Sequence, residues 1–380
     1  MTALVIRGDA RTLPLPDASV DLIVTSPPYF GLRSYTDGGE HYAGQIGDEP
    51  TPAEYLDNLL DCTREWMRVL KPEGSLWVNL GDKYAQNGAP AKSLLGLPWR
   101  YALACIDDLG LILRAEVIWS KPNGLPESVT DRVRRSHEQW FHLVKQPRYF
   151  SAVDEIREPH TAPGRTAGAR AFGARNASIT RTRTGAYEGP NPLGKLPGSV
   201  WEIATQPLRV PDMLGVEHYA AFPTEWPRRL ILGWSPSGIC LECGEGRRPM
   251  VFRGRTPDRP GRVQGRAVDA LLGGYGPDGR AGSRYAAVVD ITGYACACPD
   301  SSAPTRPAVV LDPFGGTGTT ALVASVLGRV GITVDRSADY CRIAQWRTQD
   351  PGERARALGL PKPQPVSDGQ SPLFEVEVAS

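Results

Sequence analysis

The sequence holds no run of about 18 apolar residues, which excludes a membrane-spanning helix. Cysteine is sparse: seven in 380 residues do not make a disulfide framework, and a reduced, cytoplasmic setting is expected. Net charge is nearly absent, with 43 Lys and Arg against 42 Asp and Glu, so no uniformly basic or acidic partner surface is implied. The stretch from Met1 to Asp9 lacks a charged segment followed by an apolar one, so no secretory leader is expected. Glycine (41) and proline (35), by contrast, are plentiful and predict substantial loops.

The near-neutral balance conceals a segregation. Between Arg157 and Val200 there are seven Arg or Lys against two Glu, and between Gly246 and Tyr285 nine Arg against three Asp. Soluble Arg-rich loops would look the same, but local positive charge is also what contact with nucleic-acid phosphates needs. Both stretches fall where hydrophobic periodicity disappears, roughly Ser151–Leu196 and Gly238–Thr305.

Elsewhere strands and helices alternate. Apolar runs at Leu4–Ile6, Val20–Val24, Gly74–Leu80, Leu111–Trp119, Gln139–Lys145, Val309–Leu311 and Val330–Val334 read as strands, and the pattern resumes at Val200-Trp201 after the Gly- and Arg-rich stretch. Helical spacing marks Pro52–Leu70, Leu97–Leu109, Thr224–Leu232, Thr319–Leu327 and a segment ending at Trp346. The pattern predicts an α/β fold with a mostly parallel sheet covered on both faces. The last thirty residues, with five prolines and few large apolar residues, are expected to be a mostly disordered tail.

Two strings at strand ends carry chemistry. Asp312-Pro-Phe-Gly-Gly-Thr-Gly-Thr-Thr320 is a glycine-rich turn between a strand and a helix, where a ligand can approach the backbone and meet free N–H groups. Asp335 ends the next strand, where a carboxylate can bind ribose hydroxyls. The G-x-G-x-x-G string of dinucleotide folds is missing. Near the start, Thr25-Ser26-Pro27-Pro28-Tyr29 closes another strand with a rigid, acceptor-bearing turn.

Ser26-Pro-Pro-Tyr29 resembles the catalytic motif of the S-adenosylmethionine (SAM)-dependent DNA amino-methyltransferases, and Asp312-Pro-Phe-Gly-Gly resembles their SAM loop. Catalytic motif before cofactor loop is the order of that family's permuted β group. Leu70–Trp77 through Gly81-Asp82, Ile118–Asn123, His137-Glu138 and Pro192–Trp201 resemble the same group. The resemblance covers about Leu4–Lys145 and Asn191–Arg347, apart from the insertion.

It implies a circularly permuted Rossmann-like methyltransferase sheet. Residues 1–150 would be the catalytic half, 151–199 a target-recognition segment and 200–237 a core re-entry helix. A basic, zinc-knuckle-like insertion (238–305), the SAM-binding half (306–350) and the tail (351–380) would follow. Ser26 and the Pro27 carbonyl would accept from the target amine, Pro28 would keep the turn rigid, and Tyr29 would stack on a base taken out of the duplex. Asp312, Phe314, Gly315, Gly316, Gly318 and Thr319 would line the SAM pocket, Asp335 would hold its ribose, and Asp9 would lie near its adenosine end or merely end a strand. Thr333, where the family usually has glycine, is expected to narrow that pocket. Trp119, His137 and Glu138 read as scaffold.

Ser at the first position leans toward cytosine N4, with adenine N6 as the alternative. A non-catalytic DNA-binding protein on the same scaffold, or methylation of an RNA or protein amine, also stays open. The partner would be double-stranded DNA in a bacterial or phage cytoplasm, at the nucleoid, with or without a cognate restriction endonuclease.

Cys240-Leu-Glu-Cys243-Gly and Cys296-Ala-Cys298 bracket the insertion, and four thiolates would suit a structural zinc ion, with reduced, unliganded cysteines as the alternative. Cys62, Cys105 and Cys341 read as core thiols. In the tail, Gln370-Ser-Pro-Leu-Phe374 resembles the peptide by which bacterial proteins bind the replication sliding clamp.

Overall fold

Eight strands form one sheet, in which neighbours pair in register and the apolar runs of the central strands are buried. A computed structural model describes residues 2–32, 36–37, 40–41, 44–85, 91–124, 126–159, 191, 193–215, 221–257, 285–298 and 302–361. The strands of the sheet are β1 (Ala3–Arg7), β2 (Val20–Thr25), β3 (Leu70–Leu80), β4 (Ile112–Ser120), β5 (His137–Val144) and β6 (Val200–Glu202). The strands β7 (Ile239–Cys240), β8 (Arg248–Pro257), β9 (Tyr285–Ala295) and β10 (Thr305–Arg306) lie outside it, and β11 (Val309–Asp312) and β12 (Val330–Asp335) return to it.

The sheet order is β1-β12-β11-β2-β3-β5-β4-β6. Every pairing is parallel except those of β5, which runs against both β3 and β4. The strands carrying the two motifs, β2 and β11, are therefore direct neighbours, with Val310 opposite Leu22 and Leu311 opposite Ile23. All six residues of β2 are buried, as a central parallel strand demands.

Helix α1 (Pro52–Val69) begins where Thr51 accepts from the Glu54 N–H and Pro52 supplies a preset turn. It lays Tyr55, Leu59, Leu60, Trp66 and Val69 on the core. Helix α2 (Leu97–Asp107) is capped from a distance: the Asp82 carboxylate accepts from the N–H groups of Gly96 and Leu97 at 3.0 and 3.1 Å. Helix α3 (Glu225–Trp234) carries Trp226 into an aromatic stack between Trp140 and Trp201, each with ring centres 4.9 Å away. Trp119 joins edge-on and donates to the Ile203 carbonyl, a scaffold role as expected. Helices α4 (Thr319–Val326) and α5 (Ala338–Gln349) flank β12 in sequence.

The expected tail starts later than the composition suggests. Residues Pro351–Ala357 form a further helix, α6, with Asp350 accepting from the Glu353 N–H. Glu353 is itself buried, in an ion pair with buried Arg347 at 2.8 Å. The helix is capped in its first turn by Asp350, and Glu353 and Ala357 are its buried residues, so little apolar patterning marks it. The clamp-like peptide Gln370–Phe374 lies outside the described residues.

The chain divides into two compact units. One comprises Met1–Tyr149, Val200–Ile231 and Ala308–Ser380, and the other Phe150–Ser199 and Leu232–Pro307. The second unit contains an antiparallel ribbon, β8 with β9, and the short β7–β10 pair. Most of both Arg-rich stretches lies outside the described residues.

Candidate active site and cysteine centre

The ends of β2 and β11 open on the same edge of the sheet because the strands are parallel neighbours. Thr25, the last residue of β2, donates to Asp312 Oδ1 at 2.8 Å, and Thr320 donates to Oδ2 at 2.9 Å. The Phe314 N–H adds a third bond at 3.2 Å. Burial pushes the Asp312 carboxyl up to about 7, although these three donors oppose the rise. Asp312 thus fastens the glycine loop to the strand that Ser26 follows.

Within the loop, Gly315 has no room for a side chain: a Cβ there would stand 1.4 Å from Thr333 Oγ1. Thr333, expected to narrow the pocket, is the residue that fills this space. Thr333 is buried, and its hydroxyl occupies the space that a Gly315 side chain would need, packing against the loop backbone. Gly316 (φ +49°) and Gly318 (φ +73°) adopt backbone conformations that favour glycine, and nothing stands within 4 Å of where a Gly316 Cβ would be. Gly318 precedes α4, whose first residue is Thr319.

Asp335 Oδ2 accepts from the Gly316 N–H and Oδ1 from the Ser337 N–H, both at 2.9 Å. Asp9 follows β1, which pairs with β12 so that Arg7 lies opposite Asp335. Its carboxylate is engaged by Arg11 at 2.7 Å. Burial alone would raise Asp9, but the Arg11 side chain and N–H outweigh it and hold the carboxyl below its usual range. Phe314 meets Trp66 edge-on, with ring centres 5.8 Å apart.

Beyond β2, the Tyr29 ring lies against Gly81, where a Cβ would approach it to 2.6 Å. The Pro28 carbonyl accepts from Tyr55 Oη at 3.0 Å, which adds to the stiffness of the two prolines. Ser26 Oγ and Tyr29 Oη both point to Asn79 Oδ1, at 3.2 and 2.7 Å. Tyr29 Oη also lies 2.8 Å from Glu138 Oε2, and Lys121 pairs with the other Glu138 oxygen. Burial first, then the Glu138 charge, raises the Tyr29 phenol well above its ordinary value.

Two residues of this cluster escaped the sequence reading. Asn79 signals itself only as an amide in the buried run Leu76–Leu80. Glu138, which the sequence marks only as scaffold, touches the hydroxyl of Tyr29.

In the second unit, Cys240, Cys243, Cys296 and Cys298 come together, all four sulfurs lying within 4.8 Å of one another. The Cys240–Cys298 separation is 3.8 Å. A tetrahedral zinc with bonds of about 2.3 Å would set its sulfurs about 3.8 Å apart. Gly244, after the second cysteine, has φ +74°, and its N–H donates to the Cys240 carbonyl. The N–H groups of Cys243 and Glu242 face the Cys240 sulfur and hold its thiol down to about 7.

Comparison with known proteins agrees with this geometry. A family model described as "DNA methylase", for N6 and N4 methyltransferases, matches residues 20–240 and 301–346. The chain belongs to that family. The methylase is 34% identical over 265 residues to the Type II methyltransferase M.SmaI of Serratia marcescens, covering 63% of this chain and 77% of the relative. It is likewise 34% identical over 262 residues to M.Cfr9I of Citrobacter freundii, covering 62% and 74%. Among solved structures, the cytosine-N4-specific PvuII DNA methyltransferase shares the fold with TM-score 0.54 and 19% identity, covering 94% of this chain and 91% of that one.

Proposed function

We propose that this methylase is site-specific and transfers a methyl group from SAM to the exocyclic amine of a flipped DNA base, cytosine N4 in preference to adenine N6. The observation that carries the reading is the adjacency of β2 and β11, with Thr25 bonded to Asp312, at one edge of the sheet. The residues suit the cofactor: the loop is open above Gly316, and the Asp335 carboxylate stands behind it. When bound, SAM would supply a methyl already activated on a sulfonium.

The chain's own residues would do the rest. An exocyclic amine is a poor nucleophile because its lone pair is delocalised into the ring. Ser26 Oγ and the Pro27 carbonyl, accepting from the amine hydrogens, would favour the tetrahedral form whose lone pair is free. Loss of one such preorganised contact should slow transfer about 10²–10³-fold by analogy with an oxyanion hole. Tyr29, its ring braced by Gly81, would stack on the extruded base. The lean to cytosine rests on Ser at position 26.

The permuted order is supported by the catalytic turn preceding the glycine loop in sequence. The cysteine centre would hold structural zinc, since four thiolates leave no open position. Target recognition would come from the unit containing the two Arg-rich stretches. Association with a restriction endonuclease, in a bacterial or phage cytoplasm, fits the Type II names of the relatives. Gln370–Phe374 would dock on the sliding clamp, and a tail peptide with Leu373→Ala and Phe374→Ala should then lose binding to purified clamp.

The central test is transfer of tritiated methyl from SAM to duplex DNA by purified protein, with sequencing of modified bases in a naive host. Wild type should label one sequence, and Ser26→Ala should abolish labelling while SAM still binds. Full activity of Ser26→Ala would defeat the assignment, and N6-methyladenine in the product would reverse the base preference.

A further inference from the structure

The contacts around Tyr29 present a proton-counting problem. Tyr29 Oη lies 2.7 Å from Asn79 Oδ1, 2.8 Å from Glu138 Oε2 and 3.4 Å from Ser26 Oγ, while Ser26 Oγ lies 3.2 Å from Asn79 Oδ1. The Asn79 amide cannot be turned to help. Its nitrogen donates to the Gln139 carbonyl at 3.0 Å, so its oxygen faces the hydroxyls. One phenol carries one proton and cannot donate to both Asn79 and an ionised Glu138. With a carboxylate at Glu138, one of the two shortest contacts is between lone pairs.

A single added proton resolves the conflict. Glu138 then donates to Tyr29, Tyr29 donates to Asn79, and Ser26 keeps its own bond to Asn79. The cluster is built one proton short, and Lys121 is paired with the second Glu138 oxygen. Among the described residues, the titratable groups facing this cluster are Lys121 just beyond β4, Tyr29 after β2 and, behind Tyr29, Tyr55 of α1.

We propose that Glu138 is the terminal acceptor of the proton displaced from the target amine, reached through Ser26 and Tyr29. The inference rests on the reading of Ser26 as the amine's partner. Methylation leaves the exocyclic nitrogen positively charged with one proton to lose. Its N–H bond breaks toward Ser26 Oγ, the serine proton passes to Tyr29 Oη, and the phenol proton passes to Glu138 Oε2. The electron pair of the broken N–H bond stays on nitrogen. A neutral methylamine and a neutral Glu138 acid remain, and the acid returns its proton to water after product leaves. Glu138 therefore acts through Tyr29, and the base itself touches only Ser26, Pro27 and the Tyr29 ring.

The test is single-turnover methylation across pH, with SAM and duplex binding measured alongside, for wild type, Glu138→Gln, Glu138→Asp and Lys121→Met. Infrared difference spectra during titration give a readout independent of activity. Wild type should lose rate as pH falls and Glu138 becomes protonated. Glu138→Gln should be about 10²-fold slower, the loss of a general base, with no acid limb and with binding of SAM and DNA intact. Its spectra should lack one protonated-carboxyl band that wild type shows. Glu138→Asp should retain the limb, and Lys121→Met should move it to higher pH.

Glu138→Gln at wild-type speed with the limb unchanged would overturn the relay. Should that variant fail to bind SAM and so prove misfolded, an unmoved limb in Lys121→Met would overturn it instead. An inactive wild type, or a fully active Ser26→Ala, would mean that the methyltransferase reading itself fails. A dead Ser26→Ala beside a full-speed Glu138→Gln would remove the relay alone.

Discussion

Thr25 donates to Asp312 across 2.8 Å, although 287 residues separate them in sequence. This bond ties the strand that Ser26 follows to the glycine loop, inside a region from which water is excluded. Thr25→Val keeps the shape and removes the donor. It should cost about 1–3 kcal/mol of stability, the penalty for weakening a buried acceptor's bonding. Urea unfolding of the variant beside wild type measures this, and an unchanged midpoint would show that the bond contributes nothing.

The same carboxyl gives a pH signature. Burial lifts Asp312 from 3.8 in the unfolded chain to about 7 in the folded one. Between those values the folded chain holds a proton that the unfolded chain has released. Stability from this group is therefore complete below about 4 and lost as pH rises to about 7. Relative to Asp312→Asn, which cannot titrate, wild type should weaken across that window. A constant difference between the two unfolding free energies from pH 4 to 7 would refute it.

Gly315 and Thr333 should be coupled. Gly315→Ala places a methyl where Thr333 Oγ1 now stands, and overpacking of this kind costs about 1–3 kcal/mol. Thr333→Gly opens that space, so the double variant should regain a large part of the loss, with a coupling of about 0.5–3 kcal/mol. Additive losses in a double-mutant cycle, followed by thermal unfolding, would count against the packing account.

The sequence made the two strand-end motifs readable because each couples an apolar run to local punctuation, Pro-Pro in one and Gly-Gly in the other. The cysteine centre was readable from its spacing. Asn79 and Glu138 were not, since they reach Tyr29 only through the register of β3 and β5, 50 and 109 residues away in sequence. Nor was α6, which is capped by Asp350 and places Glu353 against buried Arg347, with little apolar periodicity to announce it.

Tyr29 separates ring from hydroxyl. Tyr29→Phe keeps the ring beside Gly81 but leaves Asn79 and Glu138 without the phenol. Base extrusion, followed by 2-aminopurine fluorescence at the target position, should persist while single-turnover methylation falls about 10²-fold. Gly81→Ala should do the reverse damage, pushing on the ring from 2.6 Å and reducing the fluorescence change as well. Equal fluorescence and equal rates in both variants would contradict the assignment of ring to stacking and hydroxyl to chemistry.

The cysteine centre yields a metal-removal prediction independent of catalysis. The four sulfurs already converge to within 4.8 Å, close to the spacing a zinc ion imposes, so protein expressed with ample zinc should contain one ion per chain by mass spectrometry. Cobalt in its place should give the absorption of a tetrahedral thiolate site. Cys243→Ser should lower metal content and the thermal stability of its unit, because ligand loss removes binding energy that exists only in the folded state. SAM affinity should stay within about twofold, since the glycine loop belongs to the other unit. A metal-free preparation whose melting is indifferent to Cys243→Ser would leave the four thiols as reduced side chains that share a turn.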